Sequence, residues 1–172
     1  GPEFATLVDR HGVLSAWSRH VLPAPDDWPE PAAPLGFWTL SAAGAAGLPN
    51  GVEQFLAAGE PPVLVVLDDL LGPDAKRLAQ AVAEGLRGLN RRGLLVVRGS
   101  GLDAGLVLDD LYLVDHLPFS EVLPRAAALV HQGGVHTLAT ALAAGVPQVT
   151  NPFFEDQLFW ADGLDELLTA PR

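Results

Sequence analysis

Residues 128–145, ALVHQGGVHTLATALAAG, bring His131, Gly133, Gly134, His136 and Thr137 to one junction. An apolar, strand-like run ends there and a helical pattern begins. A helix start offers unpaired backbone N–H groups and about half a positive charge. Glycines let an anion approach the backbone closely. A histidine can donate to a phosphate oxygen, and a threonine hydroxyl can add a contact. Together these groups suit a diphosphate. The same two glycines also fit a plain tight turn from strand to helix, and a bare Gly-Gly is a weak fingerprint. His136 either crowds such an anion or donates a further hydrogen bond to it. A metal site is not expected: His131 and His136 are five apart, not an i, i+4 pair, and no third ligand is fixed by the sequence.

Such a junction needs elements to hold it. Strand patterns fall on "PPVLVVLDD", "GLLVVRGSG", "DLYLVDHL", "AALVHQGG" and "VPQVTNP". Helical patterns fall on "VEQFLAAG", "DAKRLAQAVAEGLRGL", "FSEVLPRA", "VHTLATALAAG" and "EDQLFWADGLDELL", the last with a break expected at Gly163. β-branched apolar runs of this kind are buried on both faces. The alternation predicts an α/β fold: a Rossmann-like open parallel sheet with helices on both faces. Residues 1–4, Gly-Pro-Glu-Phe, read as a cloning scar. Residues 5–50 read as an extended connector and loop, with five prolines in "VLPAPDDWPEPAAPLGFWTL". Residues 51–172 form the expected domain. His11 and His20 read as solvated connector histidines.

The formal net charge is −11, which opposes non-specific binding to nucleic acid or an anionic membrane but allows one local anion site. With no cysteine, disulfides and thiolate metal sites are excluded. No apolar run reaches the ~18 residues of a transmembrane helix. A cytoplasmic location is expected. The chain lacks methionine, which suggests a piece of a longer protein.

The stretch "HQGGVHTLATALAAGVPQVTNPFFEDQLFWA" resembles the signature of UDP-sugar-dependent glycosyltransferases with two facing Rossmann-like domains, the GT-B fold. The family pattern runs roughly H-x-G-G-x-G-T, then A-x-x-x-G-V-P-Q, then P-x-x-x-D-Q. Sterol glucosyltransferases and macrolide and rhamnolipid glycosyltransferases look most alike. "LVDHLPFSEVLPRAAALVH" and "HVLPAPDDWPEPAAPLGFW" are similar to the segment before the signature and to the interdomain segment. The resemblance implies the C-terminal, donor-binding half of a GT-B glycosyltransferase. It implies that His131, Gly133, Gly134, His136 and Thr137 hold the donor diphosphate, and that Asp156 and Gln157 bind sugar hydroxyls. A carboxylate and an amide together accept from and donate to vicinal hydroxyls. Gly99, Ser100, Val114, Asp115 and His116 are implied near the nucleotide base. The implied substrate is a UDP-sugar, with no cofactor and no metal. The implied partner is an N-terminal acceptor domain carrying the catalytic base, so no catalytic residue is assigned to this chain.

Three departures bear on this expectation. Asp68 and Asp69 stand where the family has a small Gly-Ser type turn near the phosphates. A like-charge pair at about 4 Å costs about 4 kcal/mol at an effective dielectric of 20. A helix terminus returns only about 0.3–1 kcal/mol. These carboxylates either oppose the donor or point away and start the next helix. His136 replaces a small residue, and the chain stops soon after the signature. Two readings follow. One is the donor half of an inverting hexosyltransferase that acts on a hydroxyl of a lipophilic acceptor and is inactive alone. The other is a degenerate, non-catalytic domain serving in binding or assembly. Exposed aromatics among Trp17, Trp28, Phe37, Trp38, Phe153, Phe154, Phe159 and Trp160 are expected to drive self-association.

Overall fold

Apolar runs buried on both faces build the sheet of the larger unit. The computed structural model describes residues 6, 9–28, 32–39, 47–67, 75–108 and 110–169. The chain divides into two compact units, Ser41–Leu158 and Gly1–Leu40 with Phe159–Arg172. The strands are β1 (Val13–Ser15), β2 (Ala32–Pro34), β3 (Val63–Val66), β4 (Gly93–Val96), β5 (Gly105–Leu108), β6 (Leu111–Val114), β7 (Ala128–His131) and β8 (Gln148–Thr150). The helices are α1 (Asn50–Ala57), α2 (Ala75–Gly88), α3 (Phe119–Val122), α4 (Val135–Ala144) and α5 (Glu155–Thr169), with a 3-10 turn at Leu123–Arg125.

In the larger unit six strands pair in the order β5-β6-β4-β3-β7-β8. Five run parallel, and β5 is antiparallel to β6 with a register shift between Leu106 and Leu108. Alternate residues feed two cores. Leu64, Val66, Leu94, Val96 and Val114 pack with Val52, Leu56, Val122, Leu123 and Ala141 of the helical layer. Val65, Leu67, Leu95, Val97, Leu111 and Leu113 face the α2 stripe Ala75, Ala79, Ala83 and Leu86. That stripe recurs at i, i+4, i+8 and i+11, the spacing of one helix face. Helices on both faces of a parallel-dominated sheet match the architecture read from the sequence.

Local contacts explain several element ends. Gly145 closes α4 in the left-handed region, at φ 66°. Arg92 pins the end of α1: it donates to the Phe55 and Glu60 carbonyls, and its guanidinium stacks 4.1 Å from the Phe55 ring centroid. A two-pronged pair from Arg125 to Glu53, at 2.6 and 3.0 Å, ties the 3-10 turn to α1. The Arg125 hydrogen bond holds the Glu53 carboxyl below its ordinary range.

The smaller unit differs from the expected irregular connector. β1 and β2 pair in parallel, Val13 opposite Ala32 and Ser15 opposite Pro34. Pro34 is tolerated because a two-stranded ribbon is all edge. Trp17 packs against Trp28 and Trp160, and Phe37 against Trp160, with ring centroids 5.2–6.5 Å apart. α5 runs unbroken through Gly163, against the break expected there. A Cβ at Gly163 would sit 3.4 Å from the Val21 carbonyl oxygen, so the glycine admits close backbone approach and does not end the helix. β5 also lacked a sequence expectation, because "GLVL" is short, begins with glycine and lies between Asp103 and Asp109. His11 and His20 are exposed. No helix among the described residues is long and apolar enough to cross a membrane.

Candidate functional site

Chain order places a switch in the sheet of the larger unit. From β3 the chain adds β4 and β6 on one side, then returns to add β7 and β8 on the other. Ligands of open α/β sheets bind beyond the carboxyl ends of the strands at such a reversal. Here the last residues of β3 and β7, Val66 and His131, are register partners. Both line a cavity of about 430 Å³ together with Arg98, Gly99, Gln132, Gly134, Thr137 and Gln157. A volume of this order suits a small organic ligand.

The N-terminus of α4 opens on this cavity. Its N-cap is Gly134, in extended conformation, and no side chain caps the helix. Leu138 donates to the Gly134 carbonyl at 3.0 Å, which makes it the first amide with an intrahelical acceptor. The amides of Val135, His136 and Thr137 precede that first bond, as helix geometry requires.

His131 shapes the turn. It is 1% exposed. The Gly133 N–H donates to its Nδ1 at 3.2 Å, so Nδ1 carries a lone pair. The proton therefore sits on Nε2, which donates to Gln148 Oε1 at 3.0 Å. Burial pushes the His131 pKa down, against a smaller opposing effect of the Gln148 hydrogen bond. Both ring nitrogens are thus engaged within the protein. A direct bond from His131 to a phosphate requires Nε2 to leave Gln148. Gly133 has φ +93°, and a Cβ there would lie 3.0 Å from the Gln157 carbonyl oxygen. Only glycine fits both demands.

Gln157 is buried. Its Oε1 accepts from the Phe153 and Phe154 N–H groups at 2.9 and 3.3 Å, capping the start of α5. Those two backbone donors identify the oxygen, and among the described residues no hydrogen bond engages the NH₂ end.

The structure gathers His131, Gly134, Thr137, Gln157 and Gly99 around one cavity. Gly133 is buried behind it in the turn. His136 is exposed and outside the lining; its carbonyl accepts from the Thr140 hydroxyl at 2.8 Å. Asp156, Asp115 and His116 are exposed and likewise not in the lining. The Ser100 hydroxyl accepts from the Leu102 amide, and the Val114 carbonyl accepts from the Val97 amide. Both therefore serve the turn and the sheet. Asp68 and Asp69 lie outside the described residues. Val66 and Gln132 carry no expectation from the sequence, and Arg98 carries one only as the first residue of the turn that the resemblance places near the nucleotide base. Arg98 opens the "RGSG" turn and Gln132 stands between His131 and Gly133, but spacing alone did not show their side chains converging. A cavity of about 470 Å³ between α2 and the β5–β6 hairpin is lined mainly by Ala79, Ala83, Leu102, Leu108, Leu111 and Leu113. Its walls offer few polar groups to orient a ligand.

Residues 95–168 match the family described as "Erythromycin biosynthesis protein CIII-like, C-terminal domain". O-mycaminosyltylonolide 6-deoxyallosyltransferase of Streptomyces fradiae is 41% identical over 161 residues, which cover 92% of this chain and 37% of that protein. A sterol 3-beta-glucosyltransferase of Arabidopsis thaliana is 34% identical over 172 residues, covering 94% of this chain and 28% of that protein. The chain therefore spans well under half the length of these relatives. The crystal structure of the glycosyltransferase SnogD from Streptomyces nogalater superposes with a TM-score of 0.65 at 27% identity, covering 95% of this chain and 47% of SnogD.

Proposed function

Because the chain belongs to the GT-B glycosyltransferases, with residues 95–168 of the erythromycin CIII-like C-terminal type, we propose that it is the donor-binding half of such an enzyme and holds a UDP-sugar. The observation that carries this reading is the cavity at the sheet reversal, onto which an uncapped helix N-terminus opens. The free amides of Val135, His136 and Thr137 and the Thr137 hydroxyl grip the diphosphate. His131 shapes the Gly133 turn that presents them. The Gln157 NH₂ group donates to the sugar side of the ligand. Asp156, on the same first turn of α5, reaches the sugar hydroxyls once the donor is seated. The turns at Gly99–Ser100 and Val114–His116 border the base.

In the proposed reaction an acceptor hydroxyl oxygen attacks the anomeric carbon from the face opposite the nucleotide. The bond from that carbon to the diphosphate oxygen breaks, and the diphosphate departs with the electron pair. Configuration inverts. The hydroxyl proton passes to a base on the acceptor-binding domain, outside this chain. This chain stabilises the charge that grows on the leaving diphosphate with donors already in place. The acceptor is lipophilic and the transferred group a hexose. Alone, the chain is expected to bind donor without turning it over.

The test is thermal unfolding and calorimetry with UDP and a panel of UDP-sugars. At a nucleotide concentration of 100 times Kd, binding adds about 2.7 kcal/mol of stability. An unchanged unfolding midpoint at millimolar UDP overturns the reading.

A further inference from the structure

The cavity has a second wall that the helix N-terminus does not account for. Gln132 is 8% exposed and lines the cavity, and its buried Nε2 has no hydrogen-bond partner among the described residues. Buried polar groups in native structures nearly always find partners, and an orphaned donor is costly. The last torsion of a glutamine is soft, so a small rotation presents the NH₂ to an acceptor in the cavity.

Arg98 lines the same cavity and is the cation among its lining residues. Arg98 Nη2 donates to His116 Nδ1 at 3.0 Å. A guanidinium only donates, so His116 Nδ1 holds a lone pair and its ring proton sits on Nε2. Among the described residues Arg98 makes no other hydrogen bond, so none of them takes up the rest of its fork. In a chain of net charge −11, a cation steadied beside an unpartnered buried donor and a helix N-terminus favours an anion. The planar fork matches two phosphate oxygens better than it matches sugar hydroxyls.

We propose that Arg98 and Gln132 form a second set of donors to the nucleotide diphosphate, in the same cavity as the start of α4, with His116 as the positioning residue that holds the Arg98 fork. This rests on the nucleotide-sugar reading above. Arg98 and Gln132 share the negative charge of the ligand with the helix terminus, and His116 reaches the diphosphate only through Arg98.

The test is calorimetry of the 172-residue chain with UDP, UMP and uridine at low and high salt. Gln132→Leu is expected to lose about tenfold in UDP affinity, the worth of one hydrogen bond to a charged acceptor. Its unfolding midpoint without nucleotide is expected to hold or rise, since an orphaned buried donor is removed. Arg98→Gln is expected to lose at least about tenfold for UDP and to flatten the salt dependence of binding. Arg98→Lys keeps the charge without the fork and falls between. His116→Asn keeps an acceptor near the Nδ1 position and is expected to lose less UDP affinity than His116→Leu. His116→Leu falls toward Arg98→Gln. Uridine binding is expected to be the same in Gln132→Leu, Arg98→Gln and Arg98→Lys. Unchanged UDP affinity in Gln132→Leu and Arg98→Gln overturns this inference while leaving the donor-site reading standing. Equal losses for uridine and UDP overturn it too, because the contacts then belong to the base. A wild-type chain that binds neither UDP nor UMP overturns the donor-site reading itself.

Discussion

His131 sits at the centre of the site chemistry without a free nitrogen. Its Nδ1 accepts from Gly133, and protonation turns that acceptor into a second donor facing an N–H. Burial lowers its pKa, so the folded chain favours the neutral ring more than the unfolded chain does. The unfolded state then binds more protons, and stability rises with pH across the window. The His131 contribution is fully present above its ordinary value of 6.5 and is lost as pH falls from there toward the lowered folded value. The expected outcome is a drop in unfolding midpoint between neutral and mildly acidic pH that is smaller in His131→Asn, measured with both chains in parallel. Equal drops in the two would show that other groups govern the window. At this scale the sequence was only partly legible. The histidine, the two glycines and the threonine stood out as a set. The partner of His131, Gln148, lies 17 residues on and joins it only because β8 pairs with β7.

At the scale of elements, α4 leaves its N-terminus uncapped, which is a stability cost carried at the site. The Gly134 backbone is in the extended region favoured at N-caps, and a Cβ there meets nothing within 4 Å. Gly134→Asp is therefore expected to fit. Its carboxylate caps the free amides and complements the helix charge, raising stability by a few tenths to about 1 kcal/mol. The same carboxylate would occupy the proposed diphosphate position, so UDP binding is expected to be lost. Denaturant unfolding and calorimetry on one preparation measure both, and a variant that still binds UDP would place the nucleotide elsewhere. The parallel strands were legible because double burial writes continuous apolar runs such as "VLVV" and "LLVV". β5 and the β1–β2 pair were not, because their stability comes from neighbours and not from their own composition. The continuity of α5 was misread for a related reason: Gly163 looks like a breaker until the Val21 carbonyl beside it is seen.

For the whole molecule, charge and exposed apolar surface pull in opposite directions. Residues 149–158 of the larger unit carry Val149, Phe153, Phe154 and Leu158, each 47–61% exposed. Trp38 and Phe159 are exposed in the smaller unit, whereas Trp17, Trp28, Phe37 and Trp160 are partly covered by one another. The net charge of −11 repels copies of the chain at low salt, and salt screens that repulsion within about 10 Å at 0.1 M. Self-association is expected to grow with both concentration and salt and to weaken in a Phe153→Ser, Phe154→Ser double variant. Sedimentation that stays strictly monomeric across both ranges would remove the aromatics as an assembly surface.

β8 is three residues long and, among the described residues, pairs on one side only. It also carries Gln148, whose side chain holds the His131 ring in its tautomer. Slipping a strand by one residue reverses every side chain it bears. A one-residue slip of β8 against β7 would therefore carry the Gln148 side chain to the opposite face, away from His131. In register the imidazole keeps its side-chain acceptor; one residue out, it loses the carbonyl that steadies it. The shortest strand of the six-stranded sheet thus holds the ring that shapes the Gly133 turn.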